Sequence, residues 1–132
     1  MLKGFWLGEM IYLNLEGLLD PDPIALEIFE ITDSGDVKSF LFMESQSAGI
    51  QKPTRVGCEK ILMCGNCVQM PAVDGRTEKH LLLNGRERNG KEIELSLKTK
   101  GNFELKGEFY YKRKPWQKAE LIFRKENGTR SQ

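Results

Sequence analysis

Apolar and polar side chains alternate along the C-terminal part of the chain. In residues 91–98 three apolar side chains take every second position, and the positions between them are charged or polar. The same period of two continues through residues 103–111 and residues 119–123. Successive side chains of a β-strand point to opposite faces of the sheet. Three consecutive runs of this kind therefore predict antiparallel strands with one buried and one solvated face.

The rest of the chain is also rich in strand-forming residues separated by turn residues. Residues 24–32 fit either a strand or a short helix, and the turn sequence Asp33-Ser34-Gly35-Asp36 that follows favours the strand. Asn89-Gly90 predicts a hairpin with a type I′ turn, a turn that needs a positive φ at both central residues. The other β-rich runs are residues 2–15, 37–43, 56–63 and 77–88.

These runs amount to about seven to nine short strands in succession, joined mainly by tight turns. A chain of this kind must protect the edges of its sheet, and closure into a barrel removes the edges altogether. We therefore predict an all-β, antiparallel up-and-down meander that closes into a barrel of about eight strands. A β-sandwich is the alternative. Residues 1–126 are predicted to form one barrel domain, and residues 127–132 a flexible tail.

Composition places the chain among ordinary globular domains. It has 132 residues, of which 39% are apolar and 30% charged, enough for one domain with its own core. No run of apolar residues is long enough to span a membrane. Glu9 and Glu16 interrupt the apolar N-terminal stretch, so we expect no signal peptide. Three cysteines without an export signal predict a cytoplasmic protein with reduced thiols.

Charge is unevenly distributed although the net charge is +1. Most charged side chains of residues 1–50 are acidic, and most of those of residues 98–132 are basic. This asymmetry fits strands that pair with complementary charge or a basic surface that faces an anionic partner. The basic aromatic hairpin, residues 110–118, mixes tyrosine and tryptophan with lysine and arginine, a combination that holds single-stranded nucleic acid in small β-barrels. Strand alternation turns Tyr111 inward, which favours a structural role over nucleic-acid binding.

Gly4-Phe5-Trp6 opens the first predicted strand, and Arg124 lies in the last one. This arrangement resembles the calycins, the group of the lipocalins and the cytosolic fatty-acid-binding proteins. The resemblance implies a barrel in which Trp6 plugs the closed end and Arg124 lies across the indole ring, a contact worth about 0.5–1 kcal/mol. The Arg-x-Tyr pair of the fatty-acid-binding proteins is absent, so the resemblance implies the barrel without a specificity for carboxylates.

The cysteines and the only histidine fall close together in the sequence. Cys58, Cys64 and Cys67 have the spacing C-x5-C-x2-C, and His80 follows. Cys-x2-Cys is typical of a zinc knuckle, and the four residues together would make a tetrahedral Cys3His structural site. A thioredoxin-like redox role needs the motif at the start of a helix that follows a strand, and the sequence does not predict a helix there. The alternative is that the cysteines are small side chains of strands.

No catalytic motif accompanies this fold. The carboxylates mostly take the outward parity of strands, and no nucleophile, phosphate-binding loop or dinucleotide-binding motif is present. We therefore predict a non-enzymatic protein without a cofactor, apart from the zinc alternative, that binds a small apolar or amphipathic ligand in the barrel. The competing hypothesis is an interaction or nucleic-acid-binding module. The side chains predicted to face the ligand are Leu95, Phe103, Leu105, Phe109 and Leu121.

Overall fold

The fold is all-β, as predicted. A computed structural model describes residues 2–12, 21–44, 58–71, 73, 75, 77–115 and 118–126. None of these residues belongs to a helix that is long and apolar enough to cross a membrane. The predicted tail, residues 127–132, lies outside the described part. The strands are β1 (Gly4–Tyr12), β2 (Asp22–Ile31), β3 (Asp36–Glu44), β4 (Cys58–Pro71), β5 (Thr77–Arg86), β6 (Glu92–Lys100), β7 (Glu104–Tyr111) and β8 (Lys118–Lys125).

The eight strands form one closed barrel in the order of the sequence. Each strand pairs antiparallel with the next, and β8 pairs with β1 to complete the ring. The predicted up-and-down barrel is therefore confirmed, and the sandwich alternative is wrong. Of the ambiguous residues 24–32, residues 24–31 adopt the strand and not the helix, because they belong to β2, which pairs with β1 on one side and β3 on the other.

The hairpin at Asn89-Gly90 forms, but its turn is not type I′. Gly90 has a φ of 91°, whereas no described residue other than glycine has a positive φ. The Gly90 N–H donates to the Glu87 carbonyl at 2.8 Å, and the Glu87 N–H donates to the Lys91 carbonyl at 2.9 Å. These bonds define a three-residue loop in which one glycine takes the left-handed conformation. Asn89 therefore has no need of a positive φ.

Inward side chains from all eight strands form one apolar cluster. Four of the five side chains predicted to face the barrel interior belong to it, each no more than 4% exposed. The members of the cluster are Leu2, Trp6, Met10, Ile24, Leu26, Ile28, Val37, Leu41, Ile61, Met63, Leu81, Leu83, Ile93, Leu95, Leu97, Leu105, Phe109, Ala119, Leu121 and Phe123.

Phe103 is the fifth of these side chains, and the prediction that it faces the barrel interior is wrong. The ring is 68% exposed. The register pairs Lys100 with Glu104, so Phe103 lies in the turn between β6 and β7 and not in a strand. Gly101 begins this turn with a φ of 67°. The alternation of faces applies only within strand geometry, and it therefore ends before Phe103.

Candidate functional site

Trp6 occupies the end of the barrel where β1 begins. The side chain is 1% exposed, and its indole Nε1–H donates to the Leu2 carbonyl at 3.0 Å. This bond satisfies the one polar group of the buried indole ring. Leu2 is buried beside it. Trp6 thus lies where the resemblance to calycins places the plug of the closed end.

The cation over this indole is Lys125, and the prediction of Arg124 is wrong. Lys125 Nζ lies 5.3 Å from the centroid of the Trp6 ring and donates to the Lys3 carbonyl at 2.6 Å. Burial lowers the pKa of the Lys125 ammonium. Arg124 points outward, and its Nε lies 3.4 Å from Glu104 Oε2.

The opposite end of the barrel, which we call the mouth, carries polar side chains on inward positions. Glu59 in β4, Glu87 just after β5 and Tyr111 at the end of β7 all take inward positions. Each lies two or four residues from a buried side chain of the same strand. The Tyr111 hydroxyl donates to Glu87 Oε2 at 2.6 Å. Glu59 Oε2 accepts the backbone N–H of Arg88. The mouth therefore presents two carboxylates and a phenol above the apolar cluster.

Tyr111 connects this polar layer to the apolar interior. Its ring packs edge-on against Phe109, with centroids 5.3 Å apart and an interplanar angle of 86°. Lys91 Nζ lies 5.5 Å from the centroid of the Tyr111 ring. Phe109 is therefore the predicted ligand residue next to the mouth. Leu105, by contrast, pairs with Phe123 in the part of the barrel near Trp6.

Tyr110 and Tyr111 both donate to carboxylates, and this arrangement predicts an unusual alkaline titration. The hydrogen bond to Glu94 and burial raise the pKa of Tyr110 to about 12. Burial, the hydrogen bond to Glu87 and the nearby charge of Glu59 raise the pKa of Tyr111 further. We expect the phenolate absorbance of both residues to appear well above about pH 10, where tyrosine ordinarily titrates.

The same shifts determine how stability depends on pH. Above about pH 10 the unfolded chain loses these phenolic protons while the folded barrel keeps them, so the free energy of unfolding falls as pH rises. Urea unfolding at several alkaline pH values measures this fall. Tyr110→Phe and Tyr111→Phe assign the two titrations, and ordinary pKa values for both residues would contradict the hydrogen-bonded geometry.

The structure does not bring Cys64, Cys67 and His80 together. Cys64 and Cys67 lie within the continuous strand β4, where an interval of three places side chains on opposite faces. Cys64 is exposed on the outside, whereas Cys67 packs against the apolar cluster, and burial raises the pKa of its thiol. His80 Nε2 lies 3.1 Å from Glu78 Oε2 on the outer face. Within the described residues no three metal-binding side chains meet, and the side chain of Cys58 lies outside that part.

The basic aromatic hairpin is described only in part. Lys112, Arg113 and Lys114 are exposed in the turn after β7. The Tyr110 hydroxyl is bonded to Glu94 Oε2 at 2.5 Å. Trp116, the other aromatic ring of the nucleic-acid hypothesis, lies outside the described residues. Nucleic-acid binding by this hairpin stays a prediction.

Glu59 and Glu87 are mouth residues that were not predicted from the sequence. The predicted strands place most carboxylates on their outward faces. Parity alone could have located both, because Glu59 lies two residues before the buried Ile61 and Glu87 four residues after the buried Leu83. Charged residues at the end of a strand can keep the inward parity where they still reach water, and Glu59 and Glu87 are both partly exposed.

Comparison with known proteins finds no family model, no curated protein and no solved structure that matches this chain.

Proposed function

We propose that this protein is a non-enzymatic, calycin-like binding protein that holds one small amphipathic ligand at the mouth of its barrel. One observation supports the proposal above the others. The bonded pair of Tyr111 and Glu87 lies on inward positions at the end of the barrel opposite Trp6, directly above Phe109. A few convergent polar groups beside an apolar surface are typical of small-molecule sites.

The architecture supports binding at one end only. An eight-stranded barrel is just wide enough to be filled by side chains or to hold one small ligand. Trp6 fills the interior at one end. At the mouth, the apolar part of a ligand would lie against the half-buried ring of Tyr111, beside Phe109, and its polar part would meet the carboxylates of Glu59 and Glu87. Carboxylates accept hydrogen bonds, so a ligand with an amine or hydroxyl group fits better than one with a carboxylate.

Three probes of equal chain length test this proposal: decylamine, decanol and decanoate. A ligand that binds only the folded state raises the melting temperature. We expect decylamine to raise it most, because Glu59 and Glu87 attract the ammonium group. Decanoate should raise it least. Glu87→Gln should remove most of the advantage of decylamine over decanol. Native mass spectrometry of the purified protein would report a small molecule that is already bound.

Glu94→Gln is the matched control. Glu94 also accepts a hydrogen bond from a tyrosine, Tyr110, but on the outer face of the barrel. This variant should leave the order of the three probes unchanged. Equal effects of Glu87→Gln and Glu94→Gln would contradict binding at the mouth. So would melting temperatures that none of the three probes raises.

A further inference from the structure

A groove of about 660 Å³ runs over the outer face of β5 to β8. It is separate from the mouth, because the side chains that line it, apart from the buried Leu97 and Leu121, take the outward positions of these strands. Gly107 of β7 is among the residues that line it. Its volume lies within the range of small-molecule sites, about 300–1,000 Å³.

One row of the groove is basic. The register places His80 opposite Lys98, and Lys98 opposite Lys106, so three basic side chains stand side by side across β5, β6 and β7. Like charges directly opposite each other destabilise a sheet. Lys106 Nζ lies 3.9 Å from Glu104 Oε1, whereas Lys98 has no ion pair with any residue in the described ranges.

The neighbouring row of the groove is acidic. Glu108 lies opposite Glu120 in the register of β7 and β8. Lys118 Nζ lies 3.5 Å from Glu108 Oε2, and no described residue forms an ion pair with Glu120. Among the described residues, the groove therefore carries a lysine without an ion pair on one side and a glutamate without an ion pair on the other.

We propose that this groove binds a small phosphate monoester that also carries an amine. Lys98 and Lys106 supply donors to the phosphate oxygens, and lysine is a frequent phosphate ligand because its ammonium group makes strong charge-assisted bonds. The amine of the ligand lies towards Glu120. Such a ligand relieves the repulsion within both rows at once. Inorganic phosphate satisfies only the basic row.

Calorimetric titration of the full chain with O-phosphoethanolamine, inorganic phosphate and ethanolamine tests the assignment. We expect O-phosphoethanolamine to bind most tightly and ethanolamine least. The double variant Lys98→Gln/Lys106→Gln should weaken binding of O-phosphoethanolamine and of phosphate by about tenfold or more, since each loses charge-assisted bonds. Glu120→Gln should weaken the binding of O-phosphoethanolamine but not that of inorganic phosphate. Because these changes remove like charges from one row, neither variant should lower the melting temperature.

Lys112→Gln/Lys114→Gln is the control, since it removes the same charge from an exposed turn outside the groove. It should change the affinities less than about twofold, and so should Glu87→Gln at the mouth. Equal losses in both lysine pairs would overturn the proposal, because they would report general electrostatic attraction. No binding of O-phosphoethanolamine would overturn it too. Binding to vesicles of phosphatidylethanolamine without binding of the soluble monoester would assign the groove to a membrane surface instead.

Discussion

Replacing Trp6 by alanine is expected to lower the free energy of unfolding by about 3 to 5 kcal/mol, the usual cost of removing a large aromatic side chain from a core. Trp6 is 1% exposed and belongs to the central apolar cluster. Its backbone pairs with Leu26 of β2 and Lys125 of β8. The cavity left by the indole would therefore open where the barrel closes. The carbonyl of Leu2 would also lose its donor.

Urea unfolding followed by far-ultraviolet circular dichroism measures this loss without relying on tryptophan fluorescence. Phe103→Ala is the control, because it removes another aromatic ring that is 68% exposed. We expect it to change the free energy of unfolding by less than about 0.5 kcal/mol. Trp6→Phe separates the two contributions, since it keeps much of the apolar volume and removes the N–H donor. Equal small losses in Trp6→Ala and Phe103→Ala would mean that the indole does not close the barrel.

The position of Trp6 could be predicted from the sequence, and the cation over it could also have been predicted from strand parity. Ala119, Leu121 and Phe123 are buried, so the next inward position of β8 is residue 125 and not residue 124. The resemblance to calycins calls for a basic residue of the last strand, and Arg124 was named as that residue. Parity is the more reliable guide here, because the pleat of a strand fixes the side to which each side chain points.

Turn geometry limited the prediction at Phe103 and Asn89. Hydrophobic alternation indicates strands but does not show where a hairpin loop begins and ends. The three-residue loop that contains Asn89 uses one left-handed glycine, and the turn before Glu104 takes Phe103 out of the strand. Both errors lie within a few residues of a strand end. The strands on either side are correct, because burial of one face specifies their alternation.

The two candidate sites differ in what the sequence could have shown. The mouth follows from parity within single strands, as Glu59 and Glu87 illustrate. The groove depends on neighbours across strands. That Lys98 stands opposite Lys106 follows only from the register of β6 and β7, and that register depends on the number of residues in the turn between them. Each strand taken alone shows only a mixture of charges. The basic row and the acidic row of the groove appear only when neighbouring strands are aligned.

Gly65→Ala is expected to lower the free energy of unfolding by about 2 to 4 kcal/mol, a cost at or above the usual one for overpacking because the obstacle is backbone. Gly65 of β4 pairs with Val37 of β3 on one side and with Leu83 of β5 on the other. The strand therefore has neighbours on both sides at this position. A Cβ on Gly65 would lie 1.7 Å from the Leu82 carbonyl oxygen. Only separation of β4 from β5 relieves that overlap.

Gly101→Ala is the matched control for this substitution. Apart from Gly101 itself and its two chain neighbours, no described residue comes within 4 Å of the added Cβ. The cost therefore comes from the φ of 67°, about 1–2 kcal/mol for a residue other than glycine. Urea unfolding of both variants compares the two costs. Amide hydrogen exchange should show loss of protection along the pairing of β4 with β5 in Gly65→Ala, and little loss along the pairing of β1 with β8. A Gly65→Ala barrel as stable as Gly101→Ala would mean that β4 and β5 do not approach so closely, and the tight coiling that closes eight strands into this barrel would need another origin.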